Sequence, residues 1–204
     1  MRISNRLEKH AVAASMIALG AAAAANAAIV RWDVNLAIPA NFDGLYLNIA
    51  TQTSAASGTG FAGWDINPYG ATSLNFFAST TAPNPATTYV RTQASGGPSS
   101  LAGGTVISAA SAFANSTTAV ISATGVGSNG WAINATNYFG FRFYNETTGA
   151  INYGYGAMQV GATAATRTLL FVEYGNAGES VTVVPAPGAI ALLGLAGFAG
   201  RRRR

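Results

Sequence analysis

The chain predicts an all-β fold: an antiparallel β-sandwich or jelly-roll-like body, flanked by an N-terminal signal helix and a C-terminal hydrophobic helix. Three observations predict it. Short runs that alternate apolar and polar residues recur through residues 28–183. Clusters of Gly, Pro, Asn and Ser punctuate them. Apolar residues at helical spacing are missing between Ala28 and Val184. Many short, punctuated strands pack as sandwiches or jelly rolls.

In IVRWDVNLAI, Val30, Trp32, Val34, Leu36 and Ile38 alternate with Arg31, Asp33, Asn35 and Ala37, so one face is buried. GLYLNIAT repeats the pattern with Leu45, Leu47 and Ile49. The turn Asn41-Phe42-Asp43-Gly44 between them predicts a hairpin. Shorter candidates follow: SLNFF at 73–77, TTYVRT at 87–92, TVISAA at 105–110 and AVISA at 119–123. YFGFRFY places Phe139, Phe141 and Phe143 on one side. It leads through Asn145-Glu146-Thr147-Thr148-Gly149 into INYGYGAMQV, a second predicted hairpin. RTLLFVEY and ESVTVV finish the body. Stretches 53–63, 80–85 and 93–104 have loop compositions, and 108–118 is the one place for a short helix. Gly154 and Gly156 inside a strand predict a bulge or a close backbone approach.

Only 9% of the 204 residues are charged, against about 25% in ordinary domains. The net charge of +4 belongs to the ends. Between Ala28 and Pro187 stand four basic residues and six acidic ones, a balance of −2. The body therefore has no basic footprint for nucleic acid. There is no cysteine, so an exported body relies on its core rather than on disulfides.

The ends read as addresses. MRISNRLEKH is a basic region, AVAASMIALGAAAAA an apolar one, and Ala25-Asn26-Ala27 a small-x-small cleavage site. That is the layout of a secretory signal peptide over residues 1–27, cut by signal peptidase before Ala28. At the other end Pro185-Ala186-Pro187 breaks regular structure. Residues 188–200 are apolar throughout, and Arg201, Arg202, Arg203 and Arg204 stop translocation on the cytoplasmic side. Thirteen residues of helix reach about 20 Å, less than the roughly 30 Å hydrocarbon core. Such a segment suits a transient hold, as in signals that are read and then cut.

The tail, residues 184–204, resembles the PEP-CTERM sorting signal of Gram-negative bacteria: Pro-x-Pro, a short hydrophobic helix, then an arginine cluster. Val184-Pro185-Ala186-Pro187 stands where that family has Val-Pro-Glu-Pro, with Ala186 replacing the Glu. The resemblance implies processing by an exosortase near the Pro-x-Pro. It also implies transient membrane insertion and delivery to the cell surface or an exopolysaccharide matrix. GFRFYNETTGAINYGYGAMQV with RTLLFVEYGN is similar to a segment of secreted β-rich proteins that carry this tail.

Outside the signal peptide the chain has no His, Cys or Lys. Histidine triads, thiol nucleophiles, His metal sites and lysine Schiff bases are thereby excluded from the body. No cofactor and no enzymatic activity are expected. A carboxylate hydrolase is a remote alternative: Glu146 with Glu173, or Asp43 with Asp65, could pair across a cleft. Against this, Glu146 reads as a solvated turn residue and Glu173 as the partner of an arginine such as Arg142. Asn41, Asp43 and Asn48, or Asp65 and Asn67, are oxygen ligands for calcium or members of Asx turns. No metal site is assigned to them. Sugar binding combines aromatic faces with planar polar groups. Trp64, Asp65, Asn67 and Tyr69 have that mixture, as do Trp131 and the pair Tyr153 and Tyr155. The expectation is an exported, exosortase-sorted surface or matrix protein with a structural or adhesive role; the alternative is a carbohydrate-binding module.

Overall fold

The computed structural model describes residues 28–79, 87–92 and 96–185. These form β-strands and no helix. The expected signal peptide and the apolar, arginine-ended part of the tail lie outside the described residues, as does the expected loop 80–85.

The strands are β1 (Val30–Ala37), β2 (Tyr46–Asn48), β3 (Thr53–Ala55), β4 (Ile66–Tyr69), β5 (Asn75–Ala78), β6 (Thr88–Val90), β7 (Val106–Ile107), β8 (Phe113–Ala114), β9 (Ala135–Asn145), β10 (Ala150–Val160), β11 (Arg167–Tyr174) and β12 (Val181–Thr182). A six-stranded sheet runs β1-β11-β10-β9-β6-β8, a four-stranded sheet runs β3-β2-β4-β5, and β12 pairs with β7. All of these pairings are antiparallel.

The β9–β10 hairpin is the spine. Its register runs without a break from Ala135↔Val160 to Asn145↔Ala150. The turn closes where the Gly149 amide donates to the Asn145 carbonyl at 2.8 Å. Gly149 has φ +68°, a conformation that glycine adopts without strain.

Both faces of this hairpin are buried. Phe139, Phe141, Phe143 and Met158 join Leu47, Ile66 and Phe76 of the four-stranded sheet in one cluster. Tyr153, Tyr155 and Ala157 join Leu101, Ile107, Val181 and Val183 in a second. Gly154 and Gly156 are cut-outs for the first cluster. A Cβ on Gly156 would lie 2.5 Å from the Phe139 ring; one on Gly154 would lie 2.8 Å from Phe141 and 2.5 Å from the Glu173 carbonyl. The expected close approach is therefore made by phenylalanine rings laid across a glycine strand. A bulge also occurs, between Ala157 and Met158 against β11.

Three local expectations are corrected. β1 does not form a hairpin with β2. It pairs with β11 (Val30↔Tyr174 to Ala37↔Thr168), and the chain then crosses to the other sheet, where β2 pairs with β3 and β4. The Asn41–Gly44 turn forms, with the Asn41 side chain accepting the Gly44 amide at 2.7 Å. Stretch 108–118 is not helical: it holds β8, preceded by a turn in which the Ser111 amide donates to the Ser108 carbonyl and the Ser108 amide to the Ser111 hydroxyl. Serine competes with helical hydrogen bonds in this way. AVISA makes only isolated bridges, Leu74↔Ile121 and Ile121↔Gly127.

β1 is an edge strand. The register shift between Asp33 and Leu36, with Asn35 at φ +47°, bends it, and exposed Arg31 and Asp33 line it. Bulges and charges protect sheet edges from pairing with other chains.

Candidate functional site

The outward side of the four-stranded sheet carries an aromatic cluster. In β4 and β5, Ile66, Phe76 and Ala78 face the core, so Phe77 and Tyr69 face away. In β2, Leu47 points inward and Tyr46 outward by the same alternation. Trp64 stands beside them, edge-on to Tyr46 at 5.0 Å between centroids and 5.8 Å from Phe77. All four side chains are half-buried. Burial, followed by the charge of Asp43, raises the Tyr46 hydroxyl above its ordinary pKa. Burial, then the neighbouring Tyr46, does the same for Tyr69. These phenols stay neutral donors at physiological pH.

The polar residues expected beside Trp64 are buried and bonded within the fold, although Asn67 shares the outward face as the register partner of Phe77. Asn67 is buried and donates its side-chain amide to the Asp43 carbonyl at 2.7 Å. Asp65 is 0% exposed, and accepts the Ile49 amide at 2.8 Å and the Thr87 hydroxyl at 3.4 Å. Trp131 is 4% exposed, donates Nε1 to the Pro98 carbonyl at 2.8 Å and packs on Phe76 and Phe139. It is a core residue. Tyr155 is buried and Tyr153 nearly so, on the far side of the six-stranded sheet.

Asp65 and Glu146 belong to one electrostatic cluster. Asn48 links them: its amide donates to Glu146 Oε1 at 2.6 Å, and it precedes Ile49, whose amide binds Asp65. Gly63 makes room, since a Cβ there would lie 2.6 Å from Glu146 Oε1. Glu146 is thus half-buried against the other sheet, not a solvated turn residue. Its Oε2 is buried without a hydrogen-bond partner. Burial, aided by the Glu146 charge, pushes the Asp65 carboxyl up to about 8. At neutral pH Asp65 is therefore mostly protonated beside a second carboxyl group. Asp65 offers no exposed surface to a substrate.

Glu173 meets Arg31, not Arg142. The two are register partners across β1 and β11. Glu173 also accepts the Tyr155 hydroxyl at 2.5 Å, while Arg142 donates to Thr88 at 2.8 Å and covers the Phe113 ring. Asp43 is exposed on its turn and Asp65 is buried between the sheets, so the two do not line a common cleft. Among the described residues no group of three or more His, Cys, Asp or Glu is arranged to hold a metal ion. The side-chain oxygens of Asn41 and Asn48 accept backbone amides three residues ahead and so close local turns.

At the tail, Val184 and Pro185 lie among the described residues. Ala25, Ala27, Ala186, Pro187 and the four terminal arginines lie outside them. No helix among the described residues is long and apolar enough to cross a membrane. Tyr46 and Phe77 were absent from the sequence-based sugar site, although period-2 alternation already placed Tyr46 opposite Leu45 and Leu47. No protein-family model, curated protein or solved structure matches the chain.

Proposed function

We propose that the protein is an exported, exosortase-sorted component of the cell surface or exopolysaccharide matrix, with a structural or adhesive role. The observation that carries this reading is how close the second core cluster runs to the Pro-x-Pro element. Val181 and Val183 are the last buried residues of the second core cluster, and the Pro-x-Pro element begins two residues later. A closed domain followed directly by a disposable tail is the layout of a sorted precursor. The body takes the form of a β-sandwich, its two larger sheets sharing the first core cluster. Signal peptidase and exosortase are its partners during export, with the tail inserted in the inner membrane meanwhile. Its net charge of −2 gives nucleic acid nothing to bind. Mass spectrometry of native surface material tests the reading: the tail is missing if it is right, and an intact chain through Arg204 rejects it.

A second reading has its own support. Half-buried Tyr46, Trp64, Tyr69 and Phe77 on one sheet face suit a sugar-binding platform, with phenol hydroxyls as donors. A polysaccharide pull-down of the secreted protein tests it. Trp64→Ala and Tyr46→Ala should abolish retention, and retention equal to wild type in both sinks the idea.

A further inference from the structure

The chain remains part of the fold into the sorting tail. β12 pairs with β7 through Val181↔Ile107 and Thr182↔Val106. Val183 extends the ladder: its amide donates to the Thr105 carbonyl at 2.9 Å, and its carbonyl accepts the Gly104 amide at 2.9 Å. The Val184 amide donates to the Tyr155 hydroxyl oxygen at 3.3 Å. That hydroxyl is itself held by Glu173, which Arg31 braces. The Pro185 ring lies on Gly103, where a Cβ would come within 2.6 Å of it. The main chain is thus hydrogen-bonded residue by residue through Val184, and the Pro185 ring is packed, while the Val184 side chain stays 59% exposed.

An enzyme that binds a peptide in extended form uses the peptide's own main-chain amides and carbonyls. Groups already bonded within a sheet become available only by local opening. We propose that the folded body sets the N-terminal limit of tail processing. It displays the Val184 side chain for recognition but withholds the backbone through Val184 and holds the ring of Pro185. The cut therefore falls on the C-terminal side of Pro185, and the finished protein keeps Val184 and Pro185. The step is acyl transfer to water: a peptide C–N bond breaks, a C–O bond forms, and a proton passes to the leaving amine. The limit also protects the core, because a cut ahead of Val181 would remove Val181 and Val183 from the cluster they form with Ile107 and Tyr155. This inference rests on reading residues 184–204 as an exosortase signal.

The test uses the full-length precursor in a Gram-negative host that contains an exosortase. Mass spectrometry of the C-terminal peptide should find an end at Pro185 or beyond. Pulse–chase labelling of two variants then tests the restraint. In Gly103→Ala the added methyl group meets only Pro185 within 4 Å. Tyr155→Phe removes the hydroxyl that binds Val184. Each should speed tail removal by roughly two- to tenfold, the factor carried by one hydrogen bond or contact. A wild-type end at Val184 or earlier overturns the inference, as does an unchanged rate in both variants. A wild-type chain intact through Arg204 instead rejects the sorting reading, and this inference falls with it.

Discussion

Asp65→Asn should flatten the pH dependence of stability. Asp65 is fully buried, and its folded-state pKa is about 8 against 3.8 for an unperturbed carboxyl. Between those values the folded chain holds a proton that the unfolded chain has released. Stability therefore declines as pH rises from about 4 to about 8, and levels off above. Each tenfold difference in proton affinity between the folded and unfolded chains corresponds to about 1.4 kcal/mol, so the full decline is on the order of 5 kcal/mol. For a domain of this size 1 kcal/mol moves Tm by about 2–4 °C; the wild-type Tm should fall by roughly 10 °C or more across the window. Asparagine keeps an oxygen for the Ile49 amide, now bound at 2.8 Å, and has no proton to lose. Thermal melts from pH 4.5 to 8.5 at constant ionic strength read both profiles. A wild-type Tm that stays level or rises from pH 5 to 8 refutes the reasoning, and so does an undiminished slope in Asp65→Asn.

Gly156→Ala should destabilise by about 1–3 kcal/mol in urea denaturation, because its Cβ would stand 2.5 Å from the buried Phe139 ring. Trp131→Ala should lose about 3–5 kcal/mol, the range for deleting a large core aromatic, and its Nε1 bond to Pro98 as well. Trp64→Ala, half-buried on the outer face, should lose clearly less than Trp131→Ala in the same assay; equal losses would put both tryptophans in the core. Arg167→Met should destabilise by roughly 3–5 kcal/mol, since it leaves four carbonyls without their donor. Arg167→Lys should recover little of this by the same measurement, because one ammonium cannot span the fork.

The long strands were legible because alternation is a local signal. β1 and β11 lie within the runs that the pattern marks, β9 and β10 contain theirs and extend past them, and the β9–β10 turn is written in Asn145-Glu146-Thr147-Thr148-Gly149. Partner choice was not local. The Asn41–Gly44 turn is real, yet β1 leaves it to meet β11, more than a hundred residues later. β4 was hidden by Pro68, which reads as a strand breaker although its carbonyl accepts the Leu45 amide at 3.1 Å. The glycines of β10 announced a close approach, but not that Phe139 and Phe141 make it. Among site residues, Trp64 and Trp131 look alike in sequence. Only packing separates a tryptophan on an outer face from one bonded to Pro98 inside the core. The proximity of Asp65 and Glu146 likewise depends on two sheets meeting, which no spacing along the chain encodes.

Arg167 bears on how a body without cysteine holds its loops. It is 3% exposed. One guanidinium nitrogen donates to Ser73 at 2.7 Å and Ala164 at 3.0 Å, and the other to Pro39 at 2.8 Å and to Gly70. Three loops, far apart in sequence, thus converge on one side chain. Burial lowers its pKa to about 10, so the cation persists at physiological pH. Carbonyl dipoles, rather than a carboxylate, compensate the charge in this arrangement. A disulfide joining such loops would act largely by restricting the unfolded chain. Arg167 acts only in the folded state, where charge-assisted bonds strengthen as water is excluded. The arrangement also keeps that positive charge off the surface. It suits a body whose outer polar groups are mainly neutral, and it makes the integrity of the loops depend on the closure of the core around them.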